Sequence, residues 1–345
     1  MKQPVSLASS LLCAVLSCST TGAAEVKPAV ERGLAMITQA ATRWPQNKTC
    51  FSCHHQTLPM LAATEANRAG LPLDGAWMRT QGDIALHYFE ERVEDMDDGE
   101  HVPGGAATTA FGFWALSLDR RTNNATTASM VKYLLQIQGV RRTSDRKPDQ
   151  PLHIDDGRWL ASCRRPPMQA SLVGDTVLVL MGLEEFADAG QKPAVAKARA
   201  AAETWLSQAP LRSQQDRLWR LWGLHHLGGS DSAKQNVLAA LLAAQNADGG
   251  WGEDAGRSNS DAYTTGQALY MLLKTGTPHD APPILLARDW LLRAQLSDGS
   301  WKAETHTTVK GQIYFDNGDP HGESQFLSTA ATAWATAGLA ILLQP

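Results

Sequence analysis

Long apolar runs are missing from most of this chain. Beyond residue 24 no stretch approaches the roughly eighteen uninterrupted apolar residues that a membrane span needs, so no such span is expected there. Cysteine is scarce: five in 345 residues, of which only Cys50, Cys53 and Cys163 lie beyond residue 24. An odd set that small cannot staple a disulfide scaffold. No charge sign dominates, since 31 Lys and Arg stand against 35 Asp and Glu for a net charge of -4. No basic stripe interleaved with aromatic residues appears, which removes the electrostatic case for nucleic acid or an acidic lipid surface. No segment alternates with the period of a half-buried strand. The patterns G-x-S-x-G, P-loop and H-E-x-x-H are absent too.

What is present begins with the first 24 residues. Lys2, the apolar run Val5 to Leu16 and the small residues Gly22-Ala23-Ala24 read as a secretory signal peptide spanning 1–24. Val15-Leu16-Ser17-Cys18 also loosely resembles a lipoprotein cleavage site, which would place a lipid anchor at Cys18. On either reading, residues 25–345 are expected as one exported domain, periplasmic or secreted.

Apolar periodicity after residue 27 predicts about twelve helices, at 28–43, 54–69, 75–94, 106–119, 124–138, 168–186, 192–207, 213–227, 231–245, 260–275, 281–295 and 326–343. They alternate in character. AVAKARAAAETWLSQ and ILLARDWLLRAQ keep a polar face for solvent, whereas GAATTAFGFWALSL and STAATAWATAGLAILL are apolar nearly all round and must be buried. Alternating exposed and buried helices predict an all-α fold, an (α/α)6 toroid with six outer helices around six inner ones. A repeat supports it. Gln245-Asn246-Ala247-Asp248-Gly249-Gly250-Trp251 recurs as Gln295-Leu296-Ser297-Asp298-Gly299-Ser300-Trp301, and Gln138 with Asp156-Gly157-Arg158-Trp159 reads as a stretched copy. Each copy ends an outer helix, with Gly for the left-handed turn and Trp to pack over the helix end.

These Q-x3-G-x-W copies, with paired helices over nearly the whole chain, resemble the toroid of squalene–hopene cyclases and protein prenyltransferases. The resemblance is specific for architecture and weaker for chemistry. Cyclases of that kind protonate with a D-x-D-D at the start of an inner helix. The chain has Asp95-Met96-Asp97-Asp98, but it trails an acidic outer helix and is expected as a solvated helix end. The D-x-C of prenyltransferase zinc sites is absent.

A second signal is Cys50-Phe51-Ser52-Cys53-His54-His55. C-x-x-C-H is the attachment motif of a covalent haem c, with Cys50 and Cys53 as thioethers and His54 as the iron ligand. A zinc site would need a fourth ligand, a thioredoxin-like pair a strand–turn–helix setting, and a plain disulfide would leave the two histidines unexplained. If outer and inner helices alternate, the loops 44–53, 95–105, 139–167, 208–212, 246–259 and 296–325 all lie at one end of the ring. The motif then occupies the first of them. Met96, His101, His153, Met168, His306 and His321 are the candidate second iron ligands at that end, and ring closure favours 95–105 and 296–325.

The stretches CFSCHHQTLP, CRRPPMQAS, SDAYTTGQALY and DPHGESQFLSTAATAWA resemble a group of exported bacterial proteins that join a C-x-x-C-H-H start to a cyclase-like toroid. That resemblance implies His321 as part of the shared site, as distal ligand or as a pocket residue; it also reads as a histidine hydrogen-bonding at a helix start. Arg164 and Arg165 are candidates to pair haem propionates, and equally read as a solvated basic spot. His55 is expected to bond a propionate or a neighbouring loop, Asp261 to cap its helix, and Tyr263 and Gln267 to face the axis. Three functions follow: electron transfer or redox sensing with a redox partner, a haem-dependent or cyclase-like enzyme acting on a small apolar ligand in the central cavity, or a haem-free binding module.

Overall fold

The computed structural model describes residues 9–100, 102–141, 152–153, 156–160, 166–254, 257–306 and 316–345. Arg165, with Cys163, Arg164 and His101, lies outside the described residues. Thirteen α-helices are present among those described. Six form an inner ring: α2 (Leu58–Arg68), α5 (Gly105–Leu118), α7 (Leu172–Phe186), α9 (Gln214–His226), α11 (Ala262–Lys274) and α13 (Gln325–Ile341). Six surround them: α1 (Ser9–Asn47), α3 (Gly75–Glu90), α6 (Ala125–Gln136), α8 (Lys192–Gln208), α10 (Asp231–Ala243) and α12 (Pro282–Ala294). The expected toroid is the fold observed. The chain follows it because α11 and α13 bury nearly every residue, while α8 buries one stripe and α10 fully buries Leu241 alone.

Four details depart from the periodicity, the first being that the helix expected at 28–43 runs from Ser9 to Asn47. The segment expected at 75–94 breaks after Glu90 into the short α4 (Val93–Asp97). The inner helix expected from 168 begins at Leu172, where the Ser171 hydroxyl accepts from the Gly174 amide at 2.9 Å, a cap that fixes the start. Finally, β1 (Val140–Arg141) pairs antiparallel with β2 (Leu152–His153).

The repeat has one hydrogen-bond geometry in all three copies. The Gln138, Gln245 and Gln295 side-chain amides each donate to the carbonyl of the motif glycine, Gly157, Gly249 or Gly299, at 2.7, 2.8 and 3.0 Å. Each also donates to the next outer helix, at Ala198, Pro283 and Ala29. The Trp159, Trp251 and Trp301 indoles donate to the carbonyls of Leu134, Leu241 and Leu291, each four residues before the Gln. These bonds cap the orphan carbonyls of one outer helix and staple it to its neighbour. The stretched copy is therefore a true copy. The third staple reaches α1, which closes the ring. Gly299, at φ +85°, meets α1 so closely that a Cβ would lie 2.6 Å from the Arg32 carbonyl oxygen. No helix among the described residues is long and apolar enough to cross a membrane.

Candidate functional site

All six inner helices begin at the end of the ring that carries the motif. Phe51 anchors it by packing on Tyr88 and Phe89 of α3, at ring distances of 6.2 and 5.9 Å. Trp44 ends α1 and donates from its indole to the Cys50 carbonyl at 2.7 Å, holding the first cysteine at the rim. The next five residues, Cys53–Thr57, form a single π-helical turn ahead of α2, begun by Ser52. Such wide turns recur at functional sites because they re-aim side chains. Here the turn buries Cys53, His54 and His55 together.

The Cys53 thiol sits over the ring axis. The Gln169 amide, just before α7, approaches its sulfur at 3.6 Å. The same sulfur lies close enough to Tyr263 of α11 to help raise that phenol's pKa. In the ring order α2, α5, α7, α9, α11, α13, neither α7 nor α11 neighbours α2, so a group that meets both must be central.

From Cys53 a polar chain runs outward. His54 Nδ1 faces the Ser52 hydroxyl at 2.9 Å and meets His55 Nδ1; His55 Nε2 bonds Asp319 at 2.8 Å. Asp319 also receives Asn317 at 2.7 Å and Arg43 at 2.5 Å. The side chains of His55 and Asp319 are wholly buried. Burial alone would raise the Asp319 carboxyl, but the bond and charge of His55, with Asn317 and Arg43, hold it below the usual value. The two imidazoles are fixed by rings as well: Phe326 stacks on His54 at 4.8 Å, and Trp44 stacks on His55 at 4.4 Å. The expectation that His55 bonds a neighbouring loop holds, and the partner is a carboxylate 264 residues away.

Below Cys53 the inner helices line the axis in layers. On α11, Tyr263, Gln267 and Tyr270 share one face by their spacing of four and three. On α9, Gln215, Trp219 and Trp222 do the same. Trp334 of α13 touches Trp114 of α5, Trp219 and Tyr270 at 6.1, 6.5 and 5.3 Å, so an aromatic layer crosses the centre. At the far end a cavity of about 430 Å3, lined by Trp114, Met181, Glu185 and His226 among others, opens below it. Near the motif end Asp261 caps α11 through the Thr264 amide at 2.7 Å, as expected, and burial pushes its carboxyl up to about 6.

The remaining sequence candidates scatter. His321, at φ +81°, is half-buried and bonds the Ser300 hydroxyl at 2.8 Å through Nε2; Asp319, two residues before it, is what reaches the motif. Met168 is buried, and His306 pairs with Glu253 at 3.5 Å. In the D-x-D-D stretch Asp95 and Asp98 are exposed and Asp97 pairs with Lys132 at 3.5 Å, as a solvated helix end should. Asp319, Phe326 and Gln169 were not anticipated. Asp316-Asn317-Gly318-Asp319-Pro320 reads only as a turn and gives no signal for the first.

The residues fit a c-type haem in donor chemistry: Cys53 opens the turn, Cys50 lies three residues before it, and His54 is anchored at Nδ1, which leaves Nε2 as the nitrogen suited to iron. Among the described residues no cluster of three or more His, Cys, Asp or Glu side chains is arranged to hold a metal ion.

No protein-family model matches the chain, and no curated protein matches it. Solved structures do. A protein from Actinoplanes superposes with a TM-score of 0.51 at 16% identity, covering 92% of this chain and 99% of that one. The type II terpene cyclase MstE from Scytonema gives 0.53 without ligand, at 13% identity and with 92% and 98% covered. An Asp-to-Asn variant of MstE in complex with its substrate, geranylgeranyl dihydroxybenzoate, gives 0.54 at 13% identity, with 94% and 99% covered. In fold, this chain is a terpenoid cyclase-like α/α toroid.

Proposed function

We propose that the protein is an enzyme that takes a small apolar molecule along the toroid axis, with the reacting end of that molecule under Cys53. The observation that carries this reading is the placement of the C-x-x-C-H-H turn at one end of an axis that also holds an aromatic layer of Trp114, Trp219, Trp334 and Tyr270. An aromatic wall favours an isoprenoid-like chain by apolar burial and by contact with ring faces. MstE, of the same fold, is described with a geranylgeranyl substrate, which supports the reading by analogy alone. Titrating the protein with farnesol should quench tryptophan emission saturably, since the indoles of Trp114, Trp219, Trp222 and Trp334 line the axis. An unchanged emission spectrum would remove the reading.

The chemistry at the reacting end has two forms. Asp261, whose buried carboxyl keeps its proton up to about pH 6, suits acid catalysis of the cyclase-like kind. The engaged Nδ1 of His54 favours the second form, in which Cys50 and Cys53 would carry a covalent haem c and His54 would supply a nitrogen to its iron. That group would supply one-electron redox chemistry, either on the bound molecule or toward a redox partner. In that form Asp319 and His55 orient His54. Arg165 and His321 stay candidates for a propionate contact and a second axial ligand, the latter only if His321 releases Ser300. The exported, periplasmic location, with the 1–24 signal peptide and the Cys18 anchor as its variant, belongs to this form, because haem c is attached there. A c-type α band in the pyridine haemochrome spectrum of protein matured in a periplasm is the expected result for the haem form. Its absence leaves the acid form.

A further inference from the structure

Three kinds of buried polar atom on the axis have nothing to bond. Gln267 is wholly buried, and neither its amide nitrogen nor its oxygen has a hydrogen-bond partner. The Gln215 amide nitrogen and the Trp334 indole nitrogen are buried and unpartnered as well. Buried groups of this kind are rare in folded proteins, and each carries a desolvation penalty unless water or a ligand meets it.

They also lie together. Gln267 is one turn, about 6 Å, below Tyr263 and about 4.5 Å above Tyr270 on the same face of α11. Tyr270 touches Trp334 at 5.3 Å, and the Trp334 indole lies close enough to the Tyr263 hydroxyl to act on its pKa as a hydrogen-bond donor, though without full hydrogen-bond geometry. Gln215 sits one turn above Trp219, which itself meets Trp334 at 6.5 Å. Gln267 cannot be moved aside by a shift of its helix, because a Cβ on the adjacent Gly266 would already lie 2.6 Å from the Ala335 amide. The result is a ring of neutral donors and one acceptor, between Cys53 above and the aromatic layer below.

No Lys or Arg joins that ring among the described residues. The two arginines of α9 point elsewhere: Arg217 bonds Gln214, and Arg220 bonds the Ala209 carbonyl in the preceding loop. A diphosphate or carboxylate there would be desolvated with no cation to meet it. An uncharged oxygen with an apolar body would meet three donors and lose little hydration.

We infer that Tyr263, Gln267, Gln215 and Trp334 form a recognition site for the uncharged head group, carbonyl or hydroxyl, of an apolar ligand, and that the site selects against charged prenyl compounds. This rests on the axial-ligand reading given above and names the substrate class for it.

The test uses the full chain and two probes with the same fifteen-carbon tail, farnesol and farnesyl diphosphate, followed by tryptophan emission. Farnesol is expected to bind at least ~10-fold more tightly. Gln267→Leu should weaken farnesol roughly tenfold, the equivalent of one hydrogen bond, while its thermal midpoint holds or rises by about 2 °C because an unsatisfied amide is gone. Tyr263→Phe removes only a hydroxyl, and serves if the leucine variant does not fold; a weakening of about threefold or more is expected. Equal or tighter binding of the diphosphate overturns the inference. So does wild-type farnesol affinity in both variants, and a midpoint that falls in Gln267→Leu with farnesol affinity unchanged marks the amide as structural. If neither probe quenches the wild type, the axial-ligand reading fails and the inference falls with it; if both quench alike, only the inference falls.

Discussion

Asp319→Ala is expected to cost about 3 kcal/mol of stability and to release the C-x-x-C-H-H turn from the far end of the chain. The carboxylate is wholly buried and receives three donors, His55 at 2.8 Å, Asn317 at 2.7 Å and Arg43 at 2.5 Å. Removing one partner of a buried pair leaves its mates desolvated and unpaired, which costs about 3–5 kcal/mol when every mate is buried. Arg43 is 30% exposed and recovers water, so the lower end applies. The sign with pH follows from the depressed Asp319 pKa. Its contribution is present above the unfolded carboxylate value near 3.8 and disappears as pH falls through the lower folded value. The wild-type and alanine unfolding curves should therefore converge toward strongly acidic pH. Asp319→Asn keeps the shape and one acceptor, and about 1 kcal/mol should be lost instead. Urea unfolding reads all three proteins, and a double-mutant cycle with His55→Ala isolates the pair. A coupling energy below about 0.5 kcal/mol would show that the His55–Asp319 contact does not hold the turn.

Asp261→Asn should remove a pH slope and stabilise the protein near neutrality. Burial is the main cause that lifts this carboxyl from 3.8 to about 6; bonds from Thr264 oppose it, and the nearby charge of Glu253 adds to it. A raised folded pKa means that the native state binds the extra proton. The stability it contributes is complete below about pH 3.8 and is lost as pH rises through about 6, a change on the order of 3 kcal/mol. Asparagine caps a helix as well as aspartate does, so the Thr264 bond survives while the charge does not. Relative to wild type, the variant should gain stability between pH 4 and pH 7 and be the more stable protein by about 1–3 kcal/mol at pH 7.5. Parallel midpoints for both proteins across that range would show that Asp261 carries its charge without penalty. If the reaction draws its proton from this carboxyl, turnover in the variant should also be lost, and wild-type turnover should fall above about pH 6.

The architecture was largely legible because it is written in local signals. Apolar periodicity located all twelve ring helices, and the recurring Gln, Gly and Trp announced the staple that joins α6 to α8, α10 to α12 and α12 to α1. Even the stretched copy, Gln138 to Trp159, makes the same three bonds despite its longer loop. Topology then placed the C-x-x-C-H-H turn at the rim where the inner helices begin. What escaped depends on contacts between distant parts of the chain. Nothing in Asn317-Gly318-Asp319-Pro320 distinguishes a buried carboxylate from an ordinary turn, so attention fell on His321, whose ring nitrogen bonds Ser300 instead. Phe326 reads as one more apolar residue, yet it fixes the plane of His54. Gln267 was placed on the axis by its helical spacing, but only the packed structure shows that its amide has no partner. The π-helical turn at Cys53–Thr57 has no composition signal, and within it His55 stacks on Trp44 while His54 stacks on Phe326 from the far end of the chain.

The claim that matters most is that motif and toroid form one site. A crystal structure of the full chain with farnesol bound tests it directly. The tail should lie along the axis against Trp334 and Trp114, with the hydroxyl at hydrogen-bond distance from Gln267 or Tyr263 and beneath Cys53. Farnesol bound on the outer surface, with the axis closed by its own side chains, would contradict it.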